Sequence, residues 1–198
     1  MTTPSKQWNV IAPSLHIHQG GQKDFSDAEV FGSVVWLWMQ GPNHRNLPLY
    51  ALDSLLLPAI RFRQYALVIE ESDLQTRPIA YVGWANLSAE AESRYIANPM
   101  HGLSESDWNS GDRMWCTEFF APLGQAMSMH RLLRPFFCNA SARYLSHKSN
   151  ERGVKVFTFK GLNVNPAYAK QWWQARPILA FNQSLAKGFL NPLTVSKA

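Results

Sequence analysis

A capped helix near the N-terminus is the clearest element in the pattern of apolar and polar residues. Ser26 followed by Glu29 matches a capping box, in which two backbone donors at a helix start are satisfied reciprocally. Apolar residues then recur at helical spacing from Phe31 to Trp38, which predicts one buried stripe. Gly41-Pro42 predicts the end of the helix, because proline disfavours helical conformation in the residue before it.

The rest of the pattern alternates between helix-length and strand-length segments. We expect strands over 64–70, 78–87, 114–121, 140–145 and 154–159, and helices over 47–60 (ending near Pro58), 88–96, 125–137 and 166–180. Gly83 inside the second strand predicts a β-bulge or a close approach by a ligand or backbone. This order of elements predicts an α+β fold, a mostly antiparallel central sheet flanked by helices.

The length of 198 residues suits one domain of ordinary size. We expect a flexible N-terminal extension over residues 1–25, a single domain over 26–189 and a frayed tail over 190–198. No apolar run approaches the roughly 20 residues that span a bilayer, and residues 1–23 show no secretory signal. With only Cys116 and Cys138, the chain has no disulfide framework, and a cytoplasmic location is expected.

Charge is distributed unevenly along the chain. Residues 1–129 hold 8 Lys and Arg against 13 Asp and Glu, whereas residues 130–198 hold 11 Lys and Arg against one acid, Glu151. Basic surfaces speed encounters with acidic partners, so nucleic acid, an anionic membrane and an acidic protein are all candidates. Ordinary surface lysines that favour solubility are the simpler interpretation.

Two titratable residues lie in polar turns between apolar elements, His44 and Asp112. A histidine–carboxylate pair suits proton abstraction, because the acid fixes the tautomer and stabilises the imidazolium. A surface histidine and a turn-forming aspartate would have the same spacing. No nucleotide-binding loop or serine nucleophile elbow is present, and His16 and His18 lack a nearby third ligand, so no metal site is expected.

Several separated motifs resemble the RTX-toxin-activating lysine acyltransferases. The resemblance is strong from about Val30 to Gly124 and continues weakly to about Lys160. Its motifs are Val35-Trp36-Leu37-Trp38, Pro42-Asn43-His44-Arg45-Asn46, Leu57-Pro58-Ala59-Ile60, Gln64-Tyr65-Ala66-Leu67, Trp84-Ala85-Asn86-Leu87-Ser88, Asp107-Trp108-Asn109-Ser110-Gly111-Asp112-Arg113 and Ala121-Pro122.

The resemblance implies transfer of a fatty acyl chain from acyl carrier protein to the ε-amine of internal lysines of an RTX protoxin, which makes the toxin haemolytic. It implies His44 as general base and Asp112 as the acid that orients it. Arg113, Arg131 and Arg134 are expected to contact substrate. It further implies a fold like that of the N-acetyltransferases, whose splayed central strands admit a pantetheine arm, a cytoplasmic enzyme with no cofactor besides the acyl donor, and a homodimer.

Two mechanisms and a second class of function stay open at this point. The same residues permit direct transfer or an acyl-histidine intermediate, with oxyanion donors expected from backbone N–H groups near the central strand. The chain departs from the family pattern at Gly41, where serine is common, and at Glu118-Phe119, which replaces a common Asp-Trp pair. The alternative function is a catalytically silent relative, or a basic module that binds nucleic acid or protein.

Overall fold

A six-stranded sheet forms the centre of the protein in a computed structural model that describes residues 14–19, 25–42, 44–71, 76–99, 101, 103–124, 129, 132–146 and 155–179. The strands are neighbours in chain order. They are β1 (Ser14–Gln19), β2 (Tyr65–Glu71), β3 (Thr76–Leu87), β4 (Arg113–Phe120), β5 (Ser141–Ser146) and β6 (Lys155–Lys160). Each pair is antiparallel except β4 and β5, so the prediction of an α+β fold with a mostly antiparallel sheet is confirmed.

The single parallel pair is also the shortest ladder of the sheet. Only Trp115 with Arg143 and Cys116 with Tyr144 join β4 to β5. On its other edge β4 stays paired with β3 as far as Phe120. The last four residues of β4 therefore have no partner on β5, and the two central strands diverge there. This opening is consistent with an acetyltransferase-like fold.

Helices cover the sheet, and their hydrophobic side chains make its core. The helices are α1 (Asp27–Met39), α2 (Leu52–Leu55), α3 (Leu57–Arg61), α4 (Ala89–Ala97) and α5 (Pro166–Gln174). One buried cluster joins α1 to Tyr65, Leu67 and Tyr81. Residues of the opposite parity, such as Ala66 and Val82, pack against Met129 and Leu133 in another cluster. Since successive residues of a strand face opposite sides, helical segments cover both faces of the sheet.

Helix α1 begins and ends where the sequence predicts. The Ser26 side chain accepts from the Glu29 amide at 3.3 Å, and the Ser26 amide donates to the Glu29 carboxylate at 2.7 Å. The buried stripe is Val30, Val34, Leu37 and Trp38, so two of its four members differ from the predicted Phe31, Val34, Val35 and Trp38. Phe31 and Val35 lie at the border of the core, where they are partly buried.

Two expectations about the N-terminal half are wrong. Residues 14–19 of the predicted flexible extension form β1, which pairs along its whole length with β2. His18 fixes this strand, because its ring is buried and its Nε2 lies 3.3 Å from the Tyr65 hydroxyl. The helix predicted to end near Pro58 is two short helices, and Pro58 lies in the first turn of α3, where its missing N–H has no helical partner to lose.

The C-terminal expectations are met in part. Helix α5 begins at Pro166 as predicted but ends at Gln174 rather than at residue 180. In the segment 125–137, the described residues 129, 132 and 133 are helical, and a turn follows from residue 134. The predicted tail at 190–198 lies outside the described residues. In the parts of the chain that the structure describes, no helix is long and apolar enough to cross a membrane.

Candidate active site

His44 begins a one-turn 3-10 helix (His44–Asn46) in the segment that follows α1 (Asp27–Met39). Its imidazole contacts two aromatic rings, Trp38 at 5.1 Å and Phe120 at 4.3 Å between ring centroids. The backbone of this turn is also fixed, since the Arg45 amide donates to the Gly41 carbonyl at 3.1 Å. His44 is thus held in place and only 21% of its side chain is exposed.

The carboxylate that meets His44 belongs to Glu118 on β4. Nε2 of His44 lies 3.2 Å from Oε2 of Glu118. A carboxylate can only accept a hydrogen bond, so Nε2 carries the proton in this pair. In the neutral imidazole Nδ1 then carries the lone pair, and the described residues offer it no hydrogen bond. The arrangement is that of a general base oriented by an acid.

A β-bulge lets two consecutive side chains of β4 face the same cavity. Gly83 pairs with Glu118 and Trp84 pairs with Cys116, so Thr117 is an extra residue without a partner on β3. A bulge breaks the alternation of side chains between the two faces of a sheet. Thr117 and Glu118 consequently both line the cavity at His44. The bulge expected at Gly83 is confirmed, with the inserted residue on the neighbouring strand.

The cavity beside His44 has a volume of about 180 Å³ and a largely apolar wall. Its apolar lining includes Leu47, Leu55, Tyr95, Leu103, Trp108 and Leu145. Three side-chain donors on its lining residues are buried and have no acceptor in the described part of the chain: Thr117 Oγ1, Trp38 Nε1 and Trp108 Nε1. An apolar ligand suits such a wall.

Asp112 is not the acid that meets His44, contrary to the prediction from the sequence. Its carboxylate accepts hydrogen bonds from Nε and Nη2 of Arg176, just beyond α5. These hydrogen bonds hold the pKa of Asp112 below its ordinary value. The Asp112 side chain is 71% exposed, and Glu118 occupies the position at His44. Asp112 connects the C-terminal segment to the sheet.

Arg113, predicted to contact substrate, is instead part of a buried ion cluster. Glu92 of α4 is fully buried and accepts from Arg113 at 2.7 Å, Arg143 at 2.6 Å and the Trp115 indole at 2.8 Å. Burial lowers the pKa of the Arg143 guanidinium, and the Glu92 carboxylate opposes that shift. Arg113 also donates to the Pro177 carbonyl, so its guanidinium is engaged within the fold.

The structure describes only one of the other two arginines that were expected to contact substrate. Arg131 lies outside the described residues. Arg134 is exposed in the turn after the helical residues 132 and 133, and its contact with substrate stays a prediction.

Cysteine and metal chemistry are not prominent among the described residues. Burial raises the pKa of the Cys116 thiol to about 12, so it is not a thiolate nucleophile at neutral pH. Within the described ranges, no group of three or more His, Cys, Asp or Glu side chains is arranged to hold a metal ion. His44 and Glu118 remain the candidate pair of side chains in the cavity.

Sequence reasoning did not identify Glu118 as the partner of His44. The two residues are 74 positions apart and meet only because the turn after α1 packs against β4. One signal was available, since Glu118 is the only acid in a strand of otherwise apolar and uncharged side chains after Arg113. An acid in that environment marks either a structural ion pair or a site.

Comparisons with known proteins place the chain in a family. Residues 23–160 match the model of the HlyC RTX toxin acyltransferase family. This match covers well over half of the chain, and it includes His44, Glu118 and the walls of the cavity. The chain belongs to the RTX toxin acyltransferase family.

Characterised relatives match over most of their own length. The protein-lysine myristoyltransferase RtxC of Kingella kingae is 34% identical over 140 residues, which is 71% of this chain and 81% of that protein. The protein-lysine myristoyltransferase HlyC of Escherichia coli is 36% identical over 143 residues, 72% and 81% respectively. The RTX-I toxin-activating lysine-acyltransferase ApxIC of Actinobacillus pleuropneumoniae is 34% identical over 152 residues, 77% and 86% respectively.

Proposed function

We propose that this protein is a protein-lysine acyltransferase that moves a fatty acyl chain from acyl carrier protein to the ε-amine of lysines in an RTX protoxin. The observation that carries the proposal is the His44–Glu118 pair, 3.2 Å apart at the edge of a largely apolar cavity. The names of the relatives supply the acceptor and the class of acyl group. Membership of the RTX toxin acyltransferase family links the His44–Glu118 pair to the reaction that the relatives are named for.

His44 acts as the base that makes the lysine nucleophilic. A lysine amine is protonated at neutral pH, and the ammonium form has no lone pair with which to attack. Glu118 accepts from Nε2–H of His44 and so leaves Nδ1 to take the proton. Its negative charge also stabilises the imidazolium that results. Glu118 thus takes the role that the sequence assigned to Asp112.

The reaction conserves atoms and charge through a tetrahedral intermediate. His44 first takes one proton from the lysine ammonium and passes it to solvent. The neutral amine then attacks the thioester carbonyl carbon as a second proton passes from its nitrogen to Nδ1 of His44, and the carbonyl oxygen becomes an oxyanion. The carbon–sulfur bond then breaks, and the proton on His44 neutralises the departing thiolate. Donors near the oxyanion lower the barrier, and backbone N–H groups near the central strands are the expected source.

Acyl carrier protein is proposed as the donor on two grounds. The strands β4 and β5 diverge after Cys116, which leaves a path for a slender pantetheine arm toward Glu118. The C-terminal third carries 11 Lys and Arg against one acid, which suits a partner as acidic as acyl carrier protein. We place the reaction in the cytoplasm, where that carrier is found.

A homodimer is a further part of the proposal. Several large apolar side chains of the N-terminal half are exposed, among them Trp36, Met39, Leu49 and Tyr50. Apolar surface of this kind is available for an interface between two copies. Analytical ultracentrifugation measures the oligomeric state directly. A monomer at micromolar concentration would contradict the proposed homodimer and leave the proposed activity unaffected.

Co-expression with candidate RTX protoxins tests the function. We expect intact-mass analysis of the protoxin to show the addition of a fatty acyl group, and peptide mapping to place it on lysines. Purified protein should use myristoyl–acyl carrier protein in preference to myristoyl-coenzyme A. Unmodified protoxins beside folded protein, in trials with several candidates, would contradict the proposal and favour a catalytically silent binding protein.

A further inference from the structure

Gly41 and Phe120 lie against each other next to His44. A Cβ atom built on Gly41 would lie 2.4 Å from Cζ and 2.9 Å from Cε2 of the Phe120 ring. Real Cβ atoms do not approach other atoms so closely, so the ring occupies space that any side chain at position 41 would need. The same ring contacts the imidazole of His44, with centroids 4.3 Å apart.

Gly41 cannot retreat from the ring, because its backbone is bonded on both sides. Its amide donates to the Trp38 carbonyl at 3.0 Å, and its carbonyl accepts from the Arg45 amide at 3.1 Å. These two bonds join the end of α1 to the turn that carries His44. A side chain at position 41 would therefore displace the Phe120 ring rather than the backbone.

A displaced Phe120 ring would push against His44, because the two rings are in contact. Phe120 belongs to β4, whose pairing with Tyr81 on β3 fixes the backbone beneath the ring. The ring can move only by rotating about its side-chain bonds, and His44 lies on one side of it. Movement of His44 would change the hydrogen bond from its Nε2 to Glu118, which is 3.2 Å long.

We infer that Phe120 is a positioning residue for His44, and that it can occupy this position only because residue 41 is glycine. Phe120 and Trp38 hold the imidazole between them, so that Nε2 faces Glu118 and Nδ1 stays open. This inference rests on the proposed function, since it concerns how the general base is aimed.

A double-mutant cycle tests the inference. Initial rates of transfer are measured with myristoyl–acyl carrier protein and a purified protoxin that the wild-type protein acylates. We expect Gly41→Ala to lower kcat about tenfold or more, because small displacements of a catalytic group are costly, with KM for the protoxin changed less than about twofold. We expect Phe120→Leu alone to lower kcat less, by about threefold.

The combination of the two substitutions carries the decisive result. In the Phe120→Leu background, Gly41→Ala should cost little further activity, because the smaller side chain leaves room for the methyl group. Independent effects would instead multiply. The 1H resonances of the His44 ring, assigned by their loss in His44→Gln, should shift in Gly41→Ala and in Phe120→Leu, since both changes alter the aromatic ring beside it.

Gly32→Ala is the matched control. Gly32 lies in α1, and a Cβ atom there would meet nothing within 4 Å. This variant should keep the wild-type rate and gain slightly in stability from better helix propensity. If Gly41→Ala behaves like Gly32→Ala, or if its cost persists in full beside Phe120→Leu, the inference is wrong and the proposed function stands. A wild-type protein without acyl transfer to any protoxin overturns both.

Discussion

Replacement of His44 by alanine is expected to lower the rate of protoxin acylation by a factor of about 10² to 10⁴, the usual contribution of a positioned base. The lysine would then lose its proton to water, and Glu118 would lose the imidazole that it orients. Since the His44 side chain is partly exposed, the variant should stay folded. The measurement is the initial rate of mass increase of the protoxin at saturating acyl donor.

His101→Ala supplies the control, because His101 is an exposed histidine that does not line the cavity. It should acylate at the wild-type rate. Equal rates for His44→Ala and wild type would remove His44 from the mechanism. Even with a protoxin lysine that loses its proton easily, His44→Ala should acylate more slowly than wild type, because His44 also gives a proton to the departing thiolate.

Removal of the buried carboxylate of Glu92 should have the largest effect on stability. Its two oxygens accept hydrogen bonds from Arg113, Arg143 and the Trp115 indole. Glu92→Ala would leave two guanidinium groups without their counter-ion, one of them almost fully buried. Breaking a buried pair in this way costs about 3–5 kcal/mol in the free energy of unfolding.

Chemical denaturation measures this loss, with Glu90→Ala as the control on the same helix. Glu90 is exposed in the first turn of α4 and should contribute less than about 1 kcal/mol. A loss for Glu92→Ala no greater than that for Glu90→Ala would mean that the ion cluster adds nothing to stability. Arg143 also donates to the carbonyls of Trp173 and Arg176, so we expect protease sensitivity after α5 to rise with Glu92→Ala.

Features that depend on neighbouring residues could be predicted from the sequence. The capping box at Ser26 and the stop at Gly41-Pro42 are local, and both ends of α1 lie where they indicate. The strands 64–70 and 114–121 were predicted within one residue, because apolar runs of strand length between turns have few alternatives. The order of these elements was enough for the fold class.

Features that depend on distant contacts could not be predicted in the same way. In the sequence, the residues of β1 look like part of a polar extension. They form a strand because they pair with β2, where the His18 ring contacts Tyr65. The choice of Asp112 as the acid followed from its turn and from a motif, whereas the pairing with Glu118 depends on how α1 packs against β4. The bulge at Thr117 changes which side chains face the cavity, and alternation alone does not show it.

We propose that His44 and Glu118 together catalyse acyl transfer to a protoxin lysine. The most direct test compares acylation rates of the wild type, Glu118→Gln and Asp112→Asn by intact-mass analysis. A glutamine can donate to Nε2 and so favour the wrong tautomer of His44, and we expect a loss of about 100-fold or more in a folded protein. Asp112→Asn should keep most of the wild-type rate. A slow Asp112→Asn beside an unimpaired Glu118→Gln, or a wild-type protein that acylates no protoxin, would contradict the proposed roles of His44 and Glu118.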